Sequence, residues 1–295
     1  MRRLFLILAL AGIQLLASQA LARDDLRVGT FNIRTSGAAD GVNDWTHRRG
    51  LFVQTVRRFD PDLLGLQEVR PDQQKHLEND LADYGTIATY RDAGPRAEAC
   101  SLFYRRDRFD LVDSGTFWLS ETPDKVGSRG WDAALPRVCT WARLRDRAAG
   151  RELLLANTHL DHAGMKARVN AAKLISTRLG ALAKGTPVVL LGDFNAIETG
   201  PVYAALLDAS KRNGVELIDT YRAVRPERQA DELTYHAFKD DTWGQRIDWI
   251  FQSPTLEATD CKIDRGRSAD GRFPSDHYAV WATLRYVKPP ASQPR

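Results

Sequence analysis

The most constraining feature of the chain is a series of short polar motifs, each at the end of an apolar run with the character of a β-strand. There are six: residues 30–34 (TFNIR), 66–69 (LQEV), 157–161 (NTHLD), 192–195 (GDFN), 246–250 (RIDWI) and 275–277 (SDH). One such motif alone is weak evidence. Together they supply carboxylates, two imidazoles and several carboxamides, a set that suits metal-assisted attack of water on a phosphate ester.

Hydrophobic periodicity places these motifs among alternating strands and helices. Helical spacing of apolar residues predicts helices at 47–59, 71–82 and 164–183, and apolar runs predict strands at 26–33, 62–67, 99–105, 109–118, 138–144, 152–160, 187–191, 216–219, 247–252, 256–263 and 278–286. Without an internal repeat or a low-complexity linker, this order favours a single mixed α/β domain at residues 23–287. We expect residues 288–295, which are rich in Pro and Ser, to form a flexible tail.

Residues 1–22 predict an export signal. Arg2 and Arg3 are followed by an apolar run at residues 4–16 and by Ala20 and Ala22 at the positions that a signal peptidase reads. The run is short of the roughly 20 residues that a membrane span requires, although an uncleaved anchor is the alternative. We therefore expect cleavage near Ala22, a secreted or periplasmic protein and no stable membrane association.

The net charge of the chain limits the kinds of binding partner that can be expected. The full chain carries +4, and loss of Arg2 and Arg3 with the leader leaves +2, too mild to predict strong duplex nucleic-acid binding. A phosphate-ester substrate, either nucleic acid or a small phosphoester, remains compatible, and we expect a monomer.

The three cysteines leave the redox state open. Cys100 and Cys139 each begin a strand-like run, so that neighbouring strands would allow a disulfide in an oxidising compartment. Reduced, buried thiols are the simpler interpretation. No Cys-x-x-Cys is present, which argues against a structural zinc site.

Two of the motifs predict a hydrolytic centre. Glu68 ends an apolar run, where a carboxylate is costly unless it is paired or bound to a hard cation such as Mg²⁺, Mn²⁺ or Ca²⁺. Asp193 and Asn195 occupy a tight turn, where the carboxylate can orient or deprotonate water and the amide can bind phosphate. Taken alone, Glu68 also fits a surface ion pair, and Asp193 and Asn195 also fit an Asx turn.

The histidines suggest proton transfer near neutral pH. His277 precedes a strand, and Asp248, within another apolar run, is suited to orient an imidazole. His159 ends a strand and is a stronger candidate than His162, which we expect at the surface. An unrelated buried polar pair is the alternative for Asp248 and His277.

Four charged residues have weaker support, and Glu98 and Arg137 taken in isolation would be surface charges. Glu98 precedes a strand and is expected to pair with His159. Arg137 precedes another strand and is expected to bind phosphate oxygens in a bidentate fork. Arg48 or Arg49 is a further candidate for phosphate binding, although a solvated helix start is the simpler interpretation.

The six motifs together resemble the endonuclease/exonuclease/phosphatase superfamily, which includes deoxyribonuclease I, apurinic endonucleases, sphingomyelinases and inositol-polyphosphate phosphatases. The resemblance runs over residues 26–286. It implies a four-layer α/β/β/α sandwich of two packed mixed sheets, deoxyribonuclease I-like, with the site at one rim. Residues 118–120 (WLS) and 129–131 (RGW) resemble an exported bacterial branch, and SDH at 275–277 differs from the inositol-phosphatase motif.

The resemblance also assigns roles. It implies metal ligation by Asn32, Glu68 and Asp276, handling of water and phosphate by Asp193, Asn195 and His159, and pairing of Asp248 with His277. Glu98 as a partner of His159 and Arg137 as a phosphate ligand are carried over with less motif support. The implied cofactor is Mg²⁺, with Mn²⁺ or Ca²⁺ as alternatives.

The implied activity is hydrolysis of phosphodiester or phosphomonoester bonds by a metal-activated water, with a nuclease as one option. The competing interpretations are a non-catalytic phosphate or nucleic-acid binding module on the same fold, and a sphingomyelinase-like lipid phosphodiesterase. A small-ester enzyme would have a closed pocket narrowed by Trp118, Trp131 or Trp243, which are otherwise expected in the core.

Overall fold

The computed structural model describes residues 25–287. The predicted leader at 1–22 and the predicted tail at 288–295 lie outside this range. Within it, no helix is both long enough and apolar enough to cross a membrane.

Twelve strands and five α-helices make up the described part of the chain. The strands are β1 (Asp25–Asn32), β2 (Leu63–Val69), β3 (Tyr84–Ile87), β4 (Ala99–Arg105), β5 (Phe109–Trp118), β6 (Val138–Asp146), β7 (Arg151–His159), β8 (Val188–Asp193), β9 (Ile218–Asp219), β10 (Asp248–Gln252), β11 (Leu256–Asp264) and β12 (Ala279–Tyr286). The helices are α1 (Trp45–Phe59), α2 (Pro71–Asp80), α3 (Met165–Ala183), α4 (Pro201–Arg212) and α5 (Thr220–Val224).

The strands form two six-stranded mixed sheets. The first sheet has the order β11-β12-β1-β2-β4-β3, and the second has the order β5-β6-β7-β8-β10-β9. One pair in each sheet is parallel, β1 with β2 and β7 with β8, and their named neighbours run antiparallel to them. Each sheet therefore has a parallel centre flanked by antiparallel strands.

Three apolar clusters separate four layers. Phe52 and Val56 of α1 and Leu77 of α2 pack on the outer face of the first sheet. Ile175 of α3 and Leu206 of α4 cover the outer face of the second sheet. A third cluster joins the facing sides of the two sheets. The expected four-layer α/β/β/α sandwich is confirmed.

Most predicted elements are present, with boundaries shifted by a few residues. The clearest omission is α4, although it begins with Pro201 at its first turn and carries buried Val202, Leu206 and Ala209 at helical spacing. The four-residue strand β3 and the five-residue helix α5 were also missed, because segments this short carry little periodicity.

The expected placement of Cys100 and Cys139 on neighbouring strands is wrong. Cys100 lies on β4 of the first sheet, whereas Cys139 lies on β6 of the second sheet. The three thiols, including that of Cys261, are buried and free. Burial raises the pKa of all three thiols, so they remain protonated and unreactive.

Buried hydrogen bonds fix the position of one sheet on the other. Asn157 of β7 is fully buried, and its Nδ2 donates to the carbonyls of Leu66 and Ser101 in the first sheet at 2.9 Å each. Its Oδ1 accepts from Gln67 Nε2 at 2.8 Å. The sheets approach closely here, since a Cβ added to Gly65 would lie 1.9 Å from the Leu191 side chain. This contact therefore fixes the offset between the sheets.

We predict that Asn157→Ala lowers the free energy of unfolding by about 3 kcal/mol, because two carbonyls and the Gln67 amide lose buried partners. Chemical denaturation measures the loss. Asn79→Ala, at an exposed position of α2, is the matched control and should change stability by less than about 0.5 kcal/mol. Equal stability of the two variants would show that the inter-sheet bonds do not hold the sandwich together.

Candidate active site

Strand direction brings the polar motifs to one edge of the sandwich, called the rim below. The carboxyl ends of β1, β2, β7 and β8 meet there, together with the amino ends of their antiparallel neighbours. Every residue assigned a catalytic, phosphate-binding or metal-binding role from sequence therefore lies at or beside the rim: Asn32, Glu68, Glu98, Arg137, His159, Asp193, Asn195, Asp248, Asp276 and His277.

Glu68 is the half-buried carboxylate at the end of β2. Its Oε1 accepts from Asn32 Nδ2 at 3.1 Å, and its Oε2 accepts from the backbone N–H of Thr35 at 2.9 Å. Its backbone has a φ of 64°, a left-handed conformation that costs a non-glycine residue energy and is typical of functional sites. Among residues 25–287, no arginine or lysine forms an ion pair with this carboxylate.

Asn32 bridges the two sheets at the rim. Its Nδ2 donates to Glu68 and also to Asp193 Oδ2 at 3.0 Å, and its Oδ1 accepts from the backbone N–H of Arg34 at 3.0 Å. In this orientation the amide positions both carboxylates. Direct ligation of a metal by Asn32 stays a prediction.

Asp276 is a second carboxylate facing Glu68. It is 3 % exposed, and its Oδ2 lies 3.6 Å from Nη1 of Arg34, which also pairs with Asp40. Burial and the nearby Glu68 raise the pKa of Asp276 against the opposing effects of His277 and Arg34. Two hard oxygen donors whose charges repel each other fit a divalent cation such as Mg²⁺.

Asp193 lies at the centre of the rim. Its Oδ1 accepts from the backbone N–H of Asn195 at 2.9 Å, and its Oδ2 lies 3.5 Å from His159 Nε2 and 3.8 Å from His277 Nε2. Burial and the charge of Asp248 raise the pKa of this carboxyl above its usual value. An Asp with a raised pKa between two imidazoles is suited to accept a proton from water.

Gly192 permits the turn that delivers Asp193. Its φ is 151°, and an added Cβ would lie 2.1 Å from the carbonyl oxygen of Thr158 on β7. A side chain at this position would separate β7 from β8, and with them His159 from Asp193.

Asp248 and His277 form the predicted acid–imidazole pair. Asp248 Oδ2 lies 2.9 Å from His277 Nδ1, and both side chains are almost fully buried. Burial disfavours the charged imidazole, but the Asp248 carboxylate, helped by two other carboxylates, raises the pKa of His277 to about 10. His277 is therefore a cation at neutral pH, with its Nε2 directed at Asp193.

His159 is in the opposite protonation state. Burial and the positive charge of Arg137 hold its pKa well below the usual range, so its imidazole is neutral. Its Nε2 is 3.0 Å from Asn195 Nδ2, which also donates to the carbonyl of Leu160 at 3.0 Å. A neutral ring that accepts at Nε2 carries its proton on Nδ1.

Arg137 is buried and contributes to the pocket wall, and its binding of phosphate stays a prediction. Its Nε lies 3.4 Å from Asp161, and its Nη2 lies 3.1 Å from His162 Nδ1. His162 is exposed, as predicted, but it also lines the catalytic pocket. Four backbone N–H groups also donate to the Asp161 carboxylate. No role for Asp161 was predicted from sequence.

The expected pairing of Glu98 with His159 is not found. Glu98 Oε2 instead accepts from Arg91 Nη1 at 2.7 Å, because the loop before β4 places that guanidinium beside the carboxylate. Glu98 still lines the pocket, next to His159 and Arg137.

Arg48 has a structural role that sequence did not reveal. Its guanidinium is 2 % exposed and donates to the carbonyls of Ile33, Arg34, Asn43 and Pro274 at 2.5–3.0 Å. These carbonyls belong to the segments that carry Asn32, Arg34 and the 275–277 motif. Arg48 therefore fixes the loops around the rim and does not contact a phosphate, and the solvated helix start proposed for it is wrong. Arg49 is separate and pairs with Asp80.

The rim opens into a pocket of about 450 Å³. It is polar on one side, where the residues described above lie, and Leu135, Tyr235 and Ile247 provide an apolar part. The tryptophans proposed to narrow it do not line it: Trp118 is buried, Trp131 packs against the core and Trp243 is 71 % exposed. The aromatic side chain that does line the pocket is Tyr235, whose ring centroid lies 4.9 Å from that of His277.

Another side-chain group could also hold a metal. Ligand atoms of Asp193, Asp248 and His277 lie within 4.8 Å of one another. In this structure Asp248 Oδ2 and His277 Nδ1 are engaged with each other at 2.9 Å, whereas no arginine or lysine within residues 25–287 pairs with Glu68. We therefore favour Glu68 and Asp276 as the candidate metal ligands.

The fold and this geometry agree with sequence comparison. The profile of the Endonuclease/Exonuclease/phosphatase family matches residues 29–277, and the chain belongs to this family. The name of this family covers enzymes that hydrolyse phosphoric esters.

Three relatives illustrate the similarity. Nocturnin from Drosophila melanogaster is 27% identical over 96% of this chain, which spans half of that relative's length. An endonuclease/exonuclease/phosphatase family protein from Bacteroides thetaiotaomicron is 36% identical, with a TM-score of 0.81 and coverage of 90% of this chain and 98% of that one. A mannosyl-6-phosphatase from Bacteroides thetaiotaomicron VPI-5482 is 37% identical, with a TM-score of 0.80 and coverage of 88% and 100%.

Proposed function

We propose that the protein hydrolyses a small phosphoester in a reaction that depends on a divalent metal. The observation that carries this proposal is the arrangement of Asp193 between His277, a cation, and His159, a neutral imidazole. Such a site can take a proton from water and stabilise negative charge that develops on phosphate oxygens.

Each imidazole and carboxylate then has a distinct role. Asp193 orients the attacking water and accepts its proton. His277, held by Asp248, donates a charge-assisted hydrogen bond to the phosphoryl oxygens. His159 contacts the phosphate as a neutral donor, since Asn195 occupies its Nε2.

The metal would be held by Glu68 and Asp276. A divalent ion bound there neutralises phosphate charge as a Lewis acid. Arg137, in the pocket wall, adds a fixed positive charge that attracts the same phosphate group.

The size of the substrate is inferred from the pocket and from one relative. A cavity of about 450 Å³ matches the range for small-molecule sites. The mannosyl-6-phosphatase, which is 37% identical, acts on a phosphomonoester by its name. Both features favour a small phosphomonoester over a nucleic-acid duplex, whose binding would also demand more positive charge.

We predict that the purified protein hydrolyses phosphomonoesters with Mg²⁺ or Mn²⁺ and that EDTA abolishes turnover. His277→Ala should lower kcat by about 10³-fold, because the imidazolium is lost from the reaction centre. Release of inorganic phosphate from sugar phosphates and nucleotides, and release of the alcohol from a generic diester, measure both effects.

The exposed His47, outside the pocket, provides the matched control. His47→Ala should retain wild-type turnover, and Glu68→Gln should resemble the EDTA-treated enzyme. EDTA-resistant hydrolysis, or equal activity of His277→Ala and His47→Ala, would refute the proposal.

We further propose that the protein is exported and acts as a monomer outside the cytoplasm. The basic and apolar pattern of residues 1–22 supports export. Mass spectrometry of the protein recovered from a bacterial expression host should give a mature chain that begins at Arg23. Recovery of only the full-length chain in the cell would argue against this location.

A further inference from the structure

A second cavity, called the annex below, adjoins the catalytic pocket. It has a volume of about 530 Å³ and lies between the loop at residues 35–38, Arg70 and the loop at residues 91–98. It shares Thr35, Arg91, Glu98 and Leu135 with the catalytic pocket, so these four residues lie between the two cavities. None of the roles proposed above uses the annex.

The annex carries an excess of positive charge. Arg70, Arg91 and Arg96 line it, against two carboxylates, Asp92 and Glu98. Both carboxylates are engaged by one guanidinium: Arg91 Nη1 is 2.7 Å from Glu98, and Arg91 Nε is 3.8 Å from Asp92. Two arginines are thus left without an acidic partner.

Arg70 and Arg96 differ in how they are held. Arg70 Nη2 donates to the carbonyl of Pro95 at 3.0 Å, and its buried Nε has no acceptor within the described residues. Arg96 is exposed and makes no hydrogen bond or ion pair within residues 25–287. A concave surface with unneutralised guanidinium groups concentrates anions.

The wall that separates the two cavities is rigid. Arg91 is 8 % exposed, its N–H donates to the carbonyl of Glu98 at 3.0 Å, and its own carbonyl accepts from Trp118 Nε1 at 2.7 Å. These bonds anchor the loop to the end of β5. The backbone of the loop at Arg91 is therefore held in place before a ligand binds.

We propose that the annex binds a second phosphate group, one on the part of the substrate that does not react. The preferred substrate would then be a phosphoester that carries two phosphates, one at the rim and one beside Arg70 and Arg96. This inference rests on the proposed function, since it names the substrate class of the same site. The second phosphate could belong to a sugar bisphosphate or to a nucleotide.

Two substrate pairs test the proposal and distinguish these sources. Each pair differs by one phosphate: glucose 1,6-bisphosphate with glucose 6-phosphate, and thymidine 3′,5′-bisphosphate with thymidine 5′-phosphate. The wild-type metal-loaded enzyme should prefer the bisphosphate in at least one pair by about tenfold in kcat/KM, the size of one charge-assisted hydrogen bond. The pair that shows the preference identifies the source.

Variants of the annex should remove this preference. In Arg96→Ser the ratio of kcat/KM between the two members of the pair should fall by about tenfold, mainly through KM, and Arg70→Ser should act in the same direction. Arg212→Ser is the matched control, because Arg212 is also exposed and lies on α4, outside both cavities. No preference in either pair, or an equal ratio in Arg96→Ser and Arg212→Ser, would overturn the proposal.

A binding measurement separates this proposal from failure of the proposed function. Calorimetry with Asp193→Asn compares the affinity for the same ligands without turnover. Asp193→Asn should bind the bisphosphate more tightly than the monophosphate, and the added substitution Arg96→Ser should remove this difference. That result supports the annex even if the wild-type enzyme hydrolyses none of these esters. Equal affinity for both members of each pair contradicts it.

Discussion

Asn157 makes three hydrogen bonds across the interface between the sheets, and the geometry of the rim depends on them. The site is divided between the sheets, with Glu68 and His277 from the first and His159 and Asp193 from the second. A shift of one sheet along the other would separate these side chains. A buried amide can resist such a shift because any displacement leaves polar groups unpaired in a dry interface.

The division of the site between the two sheets places the two imidazoles in different surroundings, which give them different protonation states. Three carboxylates surround His277 and outweigh the cost of burying its charge, whereas burial and nearby Arg137 leave His159 neutral. Two residues of the same type thus provide a fixed cation and a neutral hydrogen-bonding group within reach of one carboxylate, Asp193. Environment, rather than residue type, assigns these roles.

The strand-ending motifs were predictable because they are local: an apolar run marks the strand, and the polar residue after it marks the edge. Strand and helix order predicted a single mixed α/β domain, and the resemblance of the six motifs to a known family predicted the four layers and the gathering of site residues at one rim. Partners set by loops were not predictable. Glu98 pairs with Arg91 rather than with His159, and Arg48 binds carbonyls from separate segments, which no sequence spacing reveals. Cys100 and Cys139 begin similar strands, but sheet membership is not a local property.

The position of the metal can be measured in crystals grown with Mn²⁺, which gives an anomalous diffraction signal. We predict a peak within about 2.5 Å of carboxylate oxygens of Glu68 and Asp276, and its loss in Glu68→Gln crystals. A peak enclosed by Asp193, Asp248 and His277 would contradict the account, because His277 would then be a neutral ligand rather than the cation assigned to it.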